Sequence, residues 1–222
     1  MSDFLRILEN EVQIVALAFL GTVYILRLLW MFKFKSSKER TFPAGNKKTA
    51  IAYSMLNVAM PWAMESIRKK PFFYIQFVIF HLGVIAAIGA TFIIPYYPEL
   101  FKIKAVVWIF KTAVGAACIV GLMRLFRRLT RASIKLISTI DDYFSLIMMI
   151  FFFAAGFFAI PNNYQTSESA LIIFFVLTTF FLFYVPFSKI SHYLYYPFTR
   201  FFLGRTLGHR GIIFKKKHDE SD

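Results

Sequence analysis

The chain has 222 residues, 58% of them hydrophobic and 17% charged, with 26 Lys and Arg against 12 Asp and Glu for a formal net charge of +14. An ordinary soluble domain is about 45–50% apolar and about 25% charged, so this composition excludes a soluble enzyme and a disordered basic tail and argues against nucleic-acid binding. High apolarity, with a mean hydropathy of +0.60, and high charge must then be segregated along one chain, as in a polytopic helical membrane protein with charged loops.

Five stretches reach the ~20 mostly apolar residues that a membrane-spanning helix needs: roughly Val12–Phe32, Phe72–Tyr96, Ile103–Met123, Tyr143–Ile160 and Ala170–Ile190. The residues before the first stretch include Asp3, Arg6, Glu9 and Glu11. They are net acidic, unlike the basic start of a secretory signal, so this stretch is expected to stay as helix one. Between the first and second stretches, residues 33–71 form a loop whose 49–70 portion sets Ile51, Met55, Val58 and Ala59 against Lys47, Lys48 and Arg68-Lys69-Lys70. That pattern predicts an amphipathic segment on the membrane surface or a docking face for a soluble partner. The fourth stretch opens at Asp141-Asp142 and closes at Pro161-Asn162-Asn163. Asp142 is placed to cap a helix N-terminus, with proton uptake for a quinone as the other reading.

Basic residues set the expected orientation. Nine lie in 33–70, five in 124–135 and seven from Lys189 onward, 21 of the 26 on one side of a five-span chain. By the positive-inside rule the N-terminus is outside and the C-terminus inside, with residues 197–222 as a basic cytoplasmic tail. The whole chain, 1–222, reads as one all-α integral membrane domain in the cytoplasmic (inner) membrane of a bacterium or archaeon. Its single cysteine, Cys118, is mid-span, which excludes an internal disulfide and a Cys-rich iron–sulfur site, and covalent haem attachment lacks its Cys-x-x-Cys-His motif.

Ionisable groups inside the spans are functional candidates because burying them is costly. His81 lies eleven residues after Lys70, and His192, at the inner end of helix five, eight before Arg200. Counted from the inner face at ~1.5 Å per residue, the two imidazoles reach similar depth. Two such histidines are a ligand set for a low-spin b-type haem, or else interhelical hydrogen bonders. Gly83 and Gly89 beside them would admit a macrocycle close to the backbone. His209 and His218 fall among the basic residues of the tail and read as facing solvent or a partner. Lys111, about seven residues inside helix three, either snorkels outward or turns inward to a haem propionate or a quinone oxygen. Arg27 reads as a snorkelling anchor.

These residues resemble those of the five-helix cytochrome b family typified by the gamma subunit of respiratory nitrate reductase. That family includes the membrane cytochromes of heterodisulfide reductases and of sulfate-reducer redox complexes. The resemblance rests on Phe80-His81-Leu82-Gly83, on Arg127-Arg128, on Asp142, and on Pro186-Phe187-Ser188-Lys189-Ile190-Ser191-His192 followed by Pro197. It implies His81 and His192 as the axial ligands of the haem nearer the cytoplasm, and a quinone contact loosely matched by Lys102 or Lys104. The family's second haem, nearer the outside, has its ligands where this chain carries Thr91 and Phe174, so one haem b is expected. The function implied is electron transfer between the quinone pool and a cytoplasmic iron–sulfur subunit, in a complex that can hold further membrane subunits. The alternative is a haem-free anchor recruiting a soluble redox complex.

Overall fold

A computed structural model describes residues 1–34 and 39–213. They contain no extended strand, and five helices are long and apolar enough to cross a membrane. These are α1 (Asp3–Lys33), α4 (Pro71–Tyr96), α5 (Lys104–Thr130), α7 (Ile140–Ala159) and α8, which with a closing 3₁₀ turn covers Tyr164–Phe187. Shorter helices are α2 (Lys47–Leu56), α3 (Glu65–Arg68), α6 (Ala132–Ile137) and α9 (His192–His209). The five expected spans are therefore present as helices. By their contacts the residues fall into two compact units, Met1–Ile25 with Ile75–Ile190 and Leu26–Tyr74 with Ser191–Asp222.

The first unit is assembled around phenylalanine. Phe153, Phe174 and Phe175 are fully buried, and Phe152 stacks on Phe174 with ring centroids 5.1 Å apart and planes within 7°. Small residues let the helices close on this core. A Cβ on Gly83 of α4 would overlap Ala117 of α5, Gly121 of α5 admits Ile150 of α7, and Gly156 of α7 admits Phe174 of α8. This is the small-residue packing expected of helices in lipid, where close backbone approach replaces a hydrophobic driving force. The second turn of α1, Leu8–Val12, is π-helical. Just beyond it, Gln13 donates from Nε2 to the Phe175 carbonyl (3.1 Å) and the Thr179 hydroxyl (2.7 Å), fastening α1 to α8.

The second unit pairs α2 with α9. Asn46 caps α2, its side chain accepting from the Thr49 N–H at 3.2 Å. The buried face of α2 is Ala50 and Ser54, not the large residues that the apolar pattern singled out, and Leu56 is exposed. The reason lies in the opposite helix. A Cβ on Gly204 would stand 2.6 Å from the Ile51 Cα, and one on Gly208 would meet Ala50 and the Asn46 carbonyl, so only small faces can meet here. Gly211 follows with φ +67°, a conformation that glycine adopts without strain, and packs on Ala44. Within the same unit Arg27 donates to the Tyr195 hydroxyl (3.0 Å) and Tyr196 to the Met55 carbonyl (3.2 Å).

Candidate functional site

His81 projects from α4, an almost uninterrupted apolar helix, and is half-buried. Its Nδ1 lies 2.7 Å from the carbonyl oxygen of Phe77, one turn back, and its ring lies 4.1 Å from the Phe77 ring. A carbonyl only accepts, so Nδ1 carries the hydrogen and, in the neutral ring, Nε2 carries the lone pair. A metal-bound histidine commonly has this arrangement, with one nitrogen donating to a backbone carbonyl and the other presented as ligand. On this count His81 fits an axial haem ligand.

His192 is placed differently from expectation. The fifth long helix does not reach it: α8 is α-helical to Tyr184, and Val185-Pro186-Phe187 forms a 3₁₀ turn. Proline removes a backbone donor and cannot continue an α-helix undisturbed. After a second 3₁₀ turn at Lys189–Ser191, His192 opens α9 with its side chain exposed. His81 thus belongs to the first unit and His192 to the second.

The Cβ side of Gly83 is taken by Ala117 and the Ala113 carbonyl, so this glycine serves the close approach of α5. Gly89 likewise faces the Phe110 ring, which a Cβ at this position would meet at 3.4 Å. Lys111 of α5 is half-buried. Its ammonium sits 4.3 Å from the centroid of the Phe157 ring on α7, a cation–π contact. Lys102 pairs with Glu99 at 2.8 Å on an exposed turn, and Lys104 is exposed at the start of α5. Thr91 is buried and bonds back to the Ile88 carbonyl at 2.7 Å. Phe174, fully buried against Phe152, lies in the phenylalanine core.

Three of the residues that carry the family resemblance, Arg128, Asp142 and Lys189, come together in one place. Thr139 and Asp142 form a capping box at the start of α7, with the Asp142 carboxylate 2.8 Å from the Thr139 N–H. Lys189 reaches the same oxygen at 2.9 Å and Thr139 Oγ1 at 2.8 Å, while Arg128 approaches it at 3.7 Å and donates to Ser138 at 2.8 Å. Asp142 therefore caps the helix as expected and also clasps the ends of α5 and α8. Next to it, Tyr184 donates to Asp141 and lies 2.8 Å from Ser145.

Three features escape a reading of the sequence. His209, expected at the surface, is 6% exposed. Its Nε2 lies 2.6 Å from the Thr41 carbonyl, and its own carbonyl accepts from Ala44 at 2.7 Å, which ties the 39–46 loop to the end of α9. Buried among apolar residues at the foot of α1, Glu9 is 4% exposed, and its Oε2 has no hydrogen-bond partner among the described residues. A signal for it exists: Leu5, Leu8, Glu9 and Val12 repeat at the three- and four-residue spacing of one helix face. The clasp has a signal only in part, since Asp142 reads as a cap but not as a partner of Lys189. His218 and Lys215–Lys217, together with Lys35 and Lys38, lie outside the described residues. No group of three or more His, Cys, Asp or Glu among the described residues is arranged to hold a metal ion. No protein-family model, curated protein or solved structure matches this chain.

Proposed function

We propose that this protein is the cytochrome b subunit of a membrane-bound respiratory redox complex, with one haem b ligated by His81 and His192. The observation that carries the reading is the His81 ring. Its Nδ1–H is committed to the Phe77 carbonyl, which selects the tautomer of the neutral ring in which Nε2 is the basic nitrogen, the form that ligates iron. The setting supports it: an apolar helix long enough to cross a membrane, in a chain with five such helices. The resemblance to the five-helix cytochrome b family adds His192 as the second ligand.

A haem held by His81 and His192 would supply reversible one-electron transfer. The polypeptide does the rest. Phe77 orients the His81 ring, and the phenylalanine core around Phe152 and Phe174 keeps water out of the first unit. Phe174, at the place of an outer ligand in the family, is fully buried in that core, in keeping with a single haem. The quinone contact is assigned to the exposed Lys102–Lys104 stretch. Lys111, turned to Phe157, braces α5 on α7. In the same proposal the N-terminus is outside, and the basic side faces the cytoplasm of a bacterium or archaeon, where an iron–sulfur subunit docks.

The haem-free anchor is the second reading, favoured by one observation: Gly83 is covered by Ala117, so it makes no room for a macrocycle. A reduced-minus-oxidised spectrum of purified protein separates the two. Low-spin b-type bands at one haem per chain are expected, and His81→Ala and His192→Ala should each abolish them. Wild-type protein without haem would establish the anchor, and haem retained in either variant would refute that ligand.

A further inference from the structure

The second unit carries a charge that its own residues do not balance. Among its described residues are eleven Lys and Arg but only two carboxylates, Glu39 and Glu65. Both carboxylates already hold a cation, Arg210 at 3.0 Å and Lys69 at 2.6 Å. The large apolar side chains of this unit also stand outward. The α2–α9 seam is made of Gly204, Gly208, Ala50 and Ser54, which leaves Leu56 60%, Trp62 66%, and Phe201 and Phe202 each 41% exposed. Charge and aromatic surface interleave on α9. The Arg205 guanidinium lies 5.1 Å from the Phe202 centroid and 5.9 Å from that of Phe201, and Arg200 lies 5.4 Å from that of Tyr196.

We propose that the Arg200–Arg205 stretch of α9 is a binding site for anionic phospholipid headgroups. Three arguments favour lipid over an acidic protein. Two of the candidate spans, Asp3–Lys33 and Pro71–Tyr96, run directly into this unit, so the chain itself tethers it to a membrane face. Headgroups are therefore permanent neighbours at high effective concentration, whereas a soluble partner must displace them. An arginine laid against exposed phenylalanine rings also suits the boundary where acyl chains meet phosphate: the rings enter the apolar layer while the guanidinium forks onto phosphate oxygens. Finally, net positive charge with both described carboxylates already paired matches a surface that is uniformly anionic.

The test is lipid retention by the full-length protein. Purified chains are equilibrated in nanodiscs of equal phosphatidylglycerol and phosphatidylcholine, then exchanged into detergent, and the co-purifying lipid is quantified. Phosphatidylglycerol should be enriched over its bulk share, less so at 1 M salt, where the Debye length falls to about 3 Å. Arg200→Gln with Arg205→Gln should lower the retained phosphatidylglycerol-to-phosphatidylcholine ratio toward its bulk value, by up to about fivefold per arginine removed. Arg200→Lys with Arg205→Lys, which keeps charge and fold, should retain most of it. Retained lipid at the bulk ratio, or enrichment unchanged in the double glutamine variant with its helicity intact, overturns the proposal. So does an acidic protein that co-purifies with the wild type at bulk lipid ratio and is lost from the glutamine variant, which would give the surface to that partner.

Discussion

Two carboxylates of the first unit are both largely withdrawn from solvent and have opposite surroundings. Asp142, 19% exposed, accepts from its helix-capping partner Thr139 and from Lys189, with Arg128 at 3.7 Å. Glu9, on a π-helical turn at the foot of α1, has an Oε2 that accepts from none of the described residues. Partners make the first a structural joint. An Oε2 without one makes the second a cost that the rest of the packing must outweigh. A carboxylate in a membrane protein is thus not functional by position alone, and its partners decide what it does.

The largest expected effect breaks the satisfied side of this contrast. Asp142→Ala removes a cap and the anion that Lys189 and Arg128 share, and should destabilise the protein by about 2 kcal/mol, read as a lower thermal midpoint in detergent. A midpoint within about half a degree of wild type would mean that the clasp contributes little. Next comes the unsatisfied side. Glu9→Gln keeps the side chain's shape while removing a buried ionisable group whose Oε2 has no described partner, and should stabilise by about 1 kcal/mol. Destabilisation by the same measure would show that the carboxylate has a partner or a task.

The smallest effect extends the comparison to a carboxylate outside the spans. Glu39 is held below the usual glutamate value of 4.5, first by its hydrogen bond from Arg210, against some desolvation and with help from the Arg210 charge, Thr41 and His209. A depressed value means that the unfolded chain binds the proton more readily. The interaction therefore stabilises fully above about pH 4.5 and is lost as pH falls through the folded-state value. The gap in thermal midpoint between wild type and Glu39→Gln should be constant near neutrality and close in acid. A gap independent of pH would remove Arg210 as the cause.

The contrast also marks what a sequence discloses. The five long helices are visible because twenty apolar residues in a row have few other uses. Asp142 is visible as a cap because capping is local: its partner Thr139 is three residues away. His209 is not, since the group that buries it, the Thr41 carbonyl, is 168 positions distant, and a histidine among arginines looks solvated. Gly83 stands close to His81 along the chain, while its neighbour in space is Ala117 on another helix. The break before His192 does have a local cause in Pro186, but the apolar run up to Ile190 masks it from hydropathy. Periodicity reveals which faces are apolar and is silent on which faces meet.

The glycine seam between α2 and α9 also imposes an order of events on biosynthesis. Its two halves come from opposite ends of the chain, with all of Ile75–Ile190 made between them. At about 5–20 residues per second, α2 emerges and then waits roughly 7 to 30 seconds for Gly204 and Gly208 to exist. For that interval its Ala50–Ser54 face has no helix to meet. The second unit is thus the last part of the molecule to close, and a nascent chain halted between α2 and α9 carries one to five finished spans beside an open half of this unit.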